Sequence, residues 1–471
     1  MYDDYPQSVP WYFNSLDFAA LWREFPPPPN YFREVFHISR DELRARQEKQ
    51  FLRTVERAWD IPFFQRHWGG HAMQRGDVRS LDDLAKIPPY DVSHLRESIE
   101  RFPPFGDFMG ISPADGALMP LVLQTSGGTT GLPRPMLYAP RDREVMAILG
   151  GRRFALHGVK PGDMVLVGYS FGLGNGGMAP REALWRYTGA VPVPTGSGAN
   201  TPTRRQIELI KAWGINVILS FPAYLRHMAL VARNELGIDP RSLGIRTIGT
   251  HLGMEDRAPI EELWGAPAHD AYGTHEAGMM AAECRHRSGM HVQEDAVILQ
   301  IADPDTGRVV DDGEKGLIYI TTLYRWGAPQ IRFNINDVSA YRTDPCPCGS
   351  TLRRLDRIYG RNDGMIKLRG VNVFPEAVGA AVVADRRTSG EFFCFVDRVG
   401  EAGTEQMDVW VEVPDAATDK NSVKRDLEQR LKETLGVRIT VSPKARGELD
   451  AYTGTSQNSK VKRVLDRRSS A

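Results

Sequence analysis

QTSGGTTGLPRP, residues 124–135, sets three glycines and four hydroxyl side chains into the eight positions from Thr125 to Leu132. The apolar run LMPLVLQ leads into it and the strand-like PMLYAP follows. Glycine lets a backbone turn its N–H groups inward, and Ser and Thr add donors, so a loop of this make-up can surround phosphate oxygens. A plain hydrophilic turn has the same composition. The P-loop pattern is absent, since no Gly-Lys-Ser/Thr follows. Downstream, to about residue 270, short apolar runs (MVLVGYS, AVPVP, NVILSF, IRTIGT) alternate with helical patterns such as RRQIELIKAW. With ALMPLVLQ before the loop, this alternation predicts layered α/β structure on a mostly parallel sheet.

Working outward, PPPP at residues 26–29 excludes helix there. Residues 39–59 read as a long amphipathic helix, capped by Ser39 with acids in its first turn. Residues 290–342 alternate apolar and polar positions around a DPDTG turn, which predicts antiparallel sheet in a small barrel-like region. Beyond about residue 363, MDVWVEV, a helix near 420–434 and RITVSP predict a small, mobile α+β domain. The expected division is a core of residues 1–362 and a lid of 363–471. A length of 471 residues favours more than one domain.

Composition excludes several classes. Lys plus Arg equals Asp plus Glu at 59 each, so no charge excess recommends a nucleic-acid partner. MYDDYPQSVPWYF lacks a secretion signal's basic start and apolar run, and no apolar stretch is long enough to span a bilayer. The expectation is a cytoplasmic protein without a membrane partner. Four Cys are too few for a disulfide scaffold.

Other stretches carry chemistry. GLGNGG (172–177) fits a dinucleotide fingerprint, but no acid lies between Glu182 and Glu208, so a pocket-shaping loop is the better reading. AYGTHEAG (271–278) offers Tyr272 for stacking on a base and Glu276 for Mg²⁺. IRFNINDVS places Asp337 where a carboxylate can accept from a ribose diol, or simply close a turn. GRNDGMIKLRGVNVFP (360–375) falls at the domain boundary, as linker or hinge. SKVKRVLDRR closes the chain with basic residues. Cys284 and His291 (C-x6-H) with Cys346 and Cys348 (C-x-C) supply three thiols and an imidazole, a set suited to structural Zn²⁺, with His286 as an alternative ligand. Cys394, in FFCF, reads as a core residue.

The order TSGGTTG, YGTHEAG, RFNIND, GRNDGMIKLRGVNVFP and a final Lys before KRVLD resembles the adenylate-forming superfamily of acyl- and aryl-CoA synthetases, adenylation domains and luciferases. ECRHRSGMHVQED, CPCGSTLRRLDRIYGR and AWDIPFFQRHW look like its phenylacetate-CoA ligase branch, and the likeness covers roughly residues 40–467. It implies that Ser126, Gly127, Gly128, Thr129, Thr130 and Gly131 cradle the ATP phosphates, with Thr129 or Thr130 and Glu276 positioning Mg²⁺. It further implies that Gly253, Met254, Glu255, Tyr272, Gly273 and Thr274 line the nucleotide pocket, that Asp337 and Arg361 hold the ribose, and that Asp363 is the hinge. Lys460 becomes the lysine that reaches the carboxylate and α-phosphate. Tyr169, Phe171, Gly172, Asn175 and Phe221 become the acyl pocket, suited to an aryl or arylacetic acid. Similar Cys and His positions in the branch support the zinc assignment.

The implied reaction joins a carboxylic acid to CoA through an acyl adenylate at the cost of ATP. The chain also departs from the pattern. Arg134 stands where many relatives place Lys or Thr, the hinge reads GRNDG, and the acid expected after NVFP is missing from EAVGAAV. The missing acid keeps a carrier-protein thiol or an amine open as acceptor, and the resemblance to branch members of specialised metabolism keeps a small anion such as nitrite open as substrate. A nucleotide-binding regulator is disfavoured by the joint presence of Glu276, Asp337 and Lys460. The branch also often forms homodimers.

Overall fold

The computed structural model describes residues 9–126, 133–364, 366–369, 371–399, 404–457 and 461–468. Gly127 to Gly131 of the glycine loop and Lys460 lie outside them. The central sheet is wholly parallel, in the order Val191–Val193, Met164–Val167, Val217–Leu219, Thr247–Gly249, Ala268–His269. Four of the five apolar runs supply strands here. The helices Asn175–Tyr187, Thr203–Trp213, Pro222–Leu236 and Ala258–Trp264 return the chain between strands. Val217, Ile218 and Leu219 are buried on both faces, at about 1.5–3 kcal/mol per side chain. The fifth run behaves differently: Val122–Thr125 pairs antiparallel with Pro135–Tyr138, so the glycine loop tips a separate hairpin.

The antiparallel region, where the alternation suggested a barrel-like arrangement, contains two sheets. In one, Val297–Ala302, Gly316–Thr322 and Phe333–Ser339 are consecutive neighbours. Tyr90–Asp91 and Gly360–Arg361 both join Phe333–Ser339. The other runs Arg354–Leu355, Met290–Val292, Gly278–Glu283, Ala271–Thr274. The predicted N-terminal helix is Arg40–Ala58, with Ser39 accepting from the Glu42 amide at 3.2 Å.

Between the layers runs the helix Pro140–Leu156, buried at every position but Arg141 and Ala155. Gly150 and Gly151 let it approach its neighbour: an added Cβ at either would lie 2.6 Å from the Ala183 or Tyr187 Cβ. Beyond residue 365 a separate hydrophobic core gathers Val378, Val382, Cys394, Val409, Leu427 and Val441. Its sheet runs Thr440–Lys444, Thr404–Glu412, Phe392–Val399, Val464–Asp466, with the helices Pro375–Val383 and Lys420–Leu435 against it. Cys394 is a core residue there, as its FFCF setting suggests.

Candidate active site

The hairpin that carries the glycine loop pairs Thr125 with Pro135, and the Ser126 amide donates to the Arg134 carbonyl at 3.0 Å. Arg134 therefore stands at the loop's base. Its guanidinium pairs with Glu276 at the tip of the turn between Ala271–Thr274 and Gly278–Glu283. That turn requires glycine: Gly278 has φ +60°, and a Cβ on Gly273 would sit 2.5 Å from the Gly278 carbonyl oxygen. Burial opposes ionisation of Glu276, but Arg134 outweighs it and holds the carboxyl at about 2. Arg134 Nε and Nη1 are buried without a protein partner, so the guanidinium retains donors for an anion. Burial, with nearby arginines, lowers His275 to about 4, which leaves the ring neutral. It meets the Tyr138 hydroxyl at 3.2 Å and Asn175 Nδ2 at 3.2 Å.

The register of Phe333–Ser339 against Gly360–Arg361 puts Asp337 opposite Arg361. Arg361 Nη1 donates to Asp337 Oδ1 at 3.1 Å, and the Tyr272 hydroxyl donates to Oδ2 at 2.6 Å. Burial and the Asp337 charge raise the Tyr272 pKa well above its usual value, so the phenol stays protonated. Thus three residues far apart in sequence form one polar chain.

A cavity of about 570 Å³ opens beside them. Its lining includes Ser126, Gly253, Tyr272, Gly273 and Thr274 together with Tyr169, Asn175, Phe221, Phe154, His251 and Arg153. The Tyr169 and Phe221 rings meet edge to face at 5.0 Å. Asn175 is already engaged: its Oδ1 accepts from Arg143 at 2.6 Å and its Nδ2 donates to Tyr138 at 2.8 Å. Phe171 and Gly172 are not on this lining; the Phe171 ring lies against Gly177. Met254 and Glu255 line a separate cavity with Pro375, Phe392 and Arg463, and Glu255 pairs with the buried Arg226.

Sequence reading missed Arg153, Phe154, His251 and Asp270 on the large cavity. One signal was present: adjacent arginines in GGRRFALHG, flanked by apolar and small residues, cannot both reach solvent from a buried helix.

The four predicted metal ligands converge. Their ligand atoms all lie within 4.8 Å of one another. Strand pairing sets Glu283 opposite Met290, which brings Cys284 to His291, and Arg354–Leu355 returns the loop bearing Cys346 and Cys348. Cys284 Sγ and Cys346 Sγ are 3.7 Å apart, and Cys348 Sγ is 3.4 Å from His291 Nε2. A tetrahedral zinc ion sets S···S edges of about 3.8 Å and S···N edges of about 3.6 Å, so the set fits that ion. His286 is not in the cluster.

Asp363 lies in the short turn Asn362–Gly364, where the chain leaves one core for the other. Just before Lys460, the Gln457 carbonyl accepts from the Ala199 amide at 2.9 Å, so the lid's last loop touches the larger core. Among the described residues no helix is long and apolar enough to cross a membrane.

Comparison with known proteins places this geometry. The family description "AMP-binding enzyme C-terminal domain" matches residues 370–468. Phenylacetate-coenzyme A ligase of Aromatoleum evansii is 30% identical over 455 residues, 94% of this chain and 98% of that one. The structure of 2-hydroxyisobutyryl-CoA ligase in the postadenylation state, in complex with 2-HIB-AMP, superposes with a TM-score of 0.82 at 26% identity, covering 92% of this chain and 91% of that one. The same ligase in the thioesterification state, with 2-HIB-AMP and CoA, gives 0.66 at 27% identity and the same coverage. With a fold, a cavity and a near full-length relative in agreement, the chain belongs to the phenylacetate-coenzyme A ligase family of adenylate-forming enzymes.

Proposed function

We propose that this chain is an ATP-dependent, AMP-forming ligase that converts a carboxylic acid, of aryl or arylacetic type, into its CoA thioester. The supporting observation is the single cavity that runs from Ser126 at the glycine loop, past Tyr272, to the aromatic walls Tyr169 and Phe221. One space thus meets a phosphate loop, a base platform and an acyl pocket.

The first step joins two anions. The carboxylate oxygen attacks the α-phosphorus of ATP, an acyl–phosphate bond forms, and pyrophosphate leaves. Positive charge must stand where negative charge gathers. Arg134 stands at the loop base with two free buried nitrogens, and Lys460 is the second cation in this proposal. Glu276 and Thr129 would hold Mg²⁺, which would neutralise the departing pyrophosphate; one Glu276 oxygen faces Arg134, leaving the other for a cation. Thr130 and the loop amides would hold the phosphates. Tyr272 would stack on adenine, and Asp337 with Arg361 would accept and donate to the ribose hydroxyls. Neutral His275 lines the same cavity, 3.2 Å from Asn175 Nδ2. In the second step the CoA sulfur attacks the acyl carbon and AMP leaves. The lid of residues 363–471 would turn about Asp363 between the steps.

A structural zinc at Cys284, His291, Cys346 and Cys348 belongs to the same proposal. It would pin the loop before the hinge and take no part in the chemistry.

A pyrophosphate-release screen across aryl and aliphatic acids and nitrite, with and without CoA, tests the proposal. The expected result is acid-dependent release with equimolar CoA consumption. Release without CoA consumption would assign another acceptor, and no release from any acid despite ATP binding would overturn the ligase proposal.

A further inference from the structure

Arg152 and Arg153 are neighbours on one buried helix, exposed by 0% and 1%. Their surroundings differ. Arg152 forks onto Asp295 with two bonds of 2.9 Å and donates to the Pro26 carbonyl at 2.9 Å. Every nitrogen of that side chain has an acceptor, and a carboxylate balances its charge. Arg153 has no ion pair among the described residues. Its Nη2 lies 3.5 Å from the Thr250 carbonyl, at the limit of a bond, its side chain also bonds the neutral Tyr169 hydroxyl, and its Nε is buried without a partner among the described residues.

Arg153 lines the large cavity together with Phe154, Tyr169 and His251. Two carboxylates, Asp270 and Glu376, share the same lining; Asp270 is turned to other work, its Oδ1 accepting from the Leu252 and Ala271 amides at 2.8 Å each. Further polar atoms gather where Arg153 meets Gly249. Among the described residues Thr250 Oγ1 is buried without a partner, and the His157 and His269 rings are buried beside it. The His157 and His269 rings stack at 5.0 Å. An added Cβ at Gly249 would meet His157 Nδ1 at 3.3 Å and Arg153 Nη2 at 3.4 Å, which places both side chains at the carboxyl end of the strand Thr247–Gly249. In open parallel sheets that end is where ligands bind.

A buried guanidinium without a counter-charge is costly, and it is retained where something else supplies the charge. We propose that the acid taken by this pocket carries a second carboxylate, on the far side of its aromatic body from the reacting one, and that Arg153 receives it. This rests on the acyl-activating proposal for the same cavity and narrows its substrate class. The Tyr169 hydroxyl, beside Arg153 and 3.5 Å from the Gly249 carbonyl, is a second donor within reach of that anion. The aromatic walls then hold the ring between two anionic ends, one at the glycine loop and one at the helix.

Calorimetry on the full chain, with AMP present so that nothing turns over, tests this. Phenylacetate is compared with its ortho-, meta- and para-carboxy derivatives on the unaltered protein, Arg153→Lys and Arg153→Leu. One carboxy derivative should bind at least about tenfold tighter than phenylacetate to the unaltered protein, as a charge-assisted bond to a desolvated guanidinium predicts. That preference should fall within about twofold of unity in Arg153→Leu, and part of it should survive in Arg153→Lys. Equal or weaker binding of all three derivatives overturns the proposal on the unaltered protein alone, whether or not Arg153→Leu folds. So does a preference unchanged in a folded Arg153→Leu. Pyrophosphate release from phenylacetate, without this preference, would leave the ligase proposal standing and remove only the second carboxylate.

Discussion

Arg134 and Glu276 show how much a single contact decides. Glu276 is held ionised down to about 2, so its charge does not vary across any practical assay range. Glu276→Gln should therefore lower adenylate formation at every pH tested, by on the order of a hundredfold, read as pyrophosphate release. Lys460→Ala should have a similar effect on adenylate formation while leaving ATP binding nearly unchanged; equal adenylation rates would remove Lys460 from its assigned role. Asp270 behaves in the opposite sense to Glu276. Burial, then the nearby Glu283 carboxylate, raises it from 3.8 to about 7. An acid raised in the folded state costs nothing below its unfolded value, costs progressively more as pH climbs from 3.8 towards about 7, and costs most above that. Asp270→Asn, which keeps a carbonyl oxygen for the Leu252 and Ala271 amides, should stabilise the fold at pH 8, by up to about 4 kcal/mol. The gain should vanish near pH 4, and melting temperatures at the two pH values check it. Tyr272, Glu276 and Asp337 were legible in the sequence because each sits in a short strand-and-turn motif. Arg153 was not, because its role depends on which layers enclose its helix, and no local pattern reports that.

Among elements, hairpins do most of the positioning. Arg134 enters the second strand of one hairpin and Glu276 sits in the turn of another, and the ion pair between them joins the two. The same holds for the Cys and His cluster, where Ala282 pairs with His291 and His291 with Arg354. Purified protein should contain one zinc per chain, lost in Cys346→Ser, with a lower melting temperature; a full complement of metal in that variant would contradict the ligand set. The parallel strands were readable as apolar runs bounded by turns. Val122–Thr125 resembled them in composition yet, among the described residues, pairs only with Pro135–Tyr138, since partner choice is a long-range property that a four-residue run does not carry. Phe171 and Gly172 follow a strand as pocket residues often do, but which side of the loop faces the cavity depends on Gly177 giving room to the Phe171 ring.

At the scale of the whole molecule, the chain superposes on the relative in its postadenylation state with a TM-score of 0.82, against 0.66 for the same relative in its thioesterification state. The contact between the Ala199 amide and the Gln457 carbonyl belongs to this arrangement. An added Cβ at Gly198 would overlap the Ser456 carbonyl oxygen, backbone against backbone, with no flexible group to yield. Gly198→Ala should therefore slow adenylation by about tenfold or more, the cost of displacing that contact. It should leave CoA transfer from preformed acyl adenylate near its normal rate, because the lid has then turned away. Rapid-quench measurement of the two half-reactions separates these outcomes, and equal slowing of both would count against the lid motion. The pairing of Asp337 with Arg361 adds a mechanical consequence. Arg361 is the last strand residue before the turn Asn362–Gly364. In the proposed reaction a nucleotide sugar gripped there would stiffen the pivot's fixed side, so the axle about which the lid is proposed to turn would be firm while AMP is held and slacken as AMP departs.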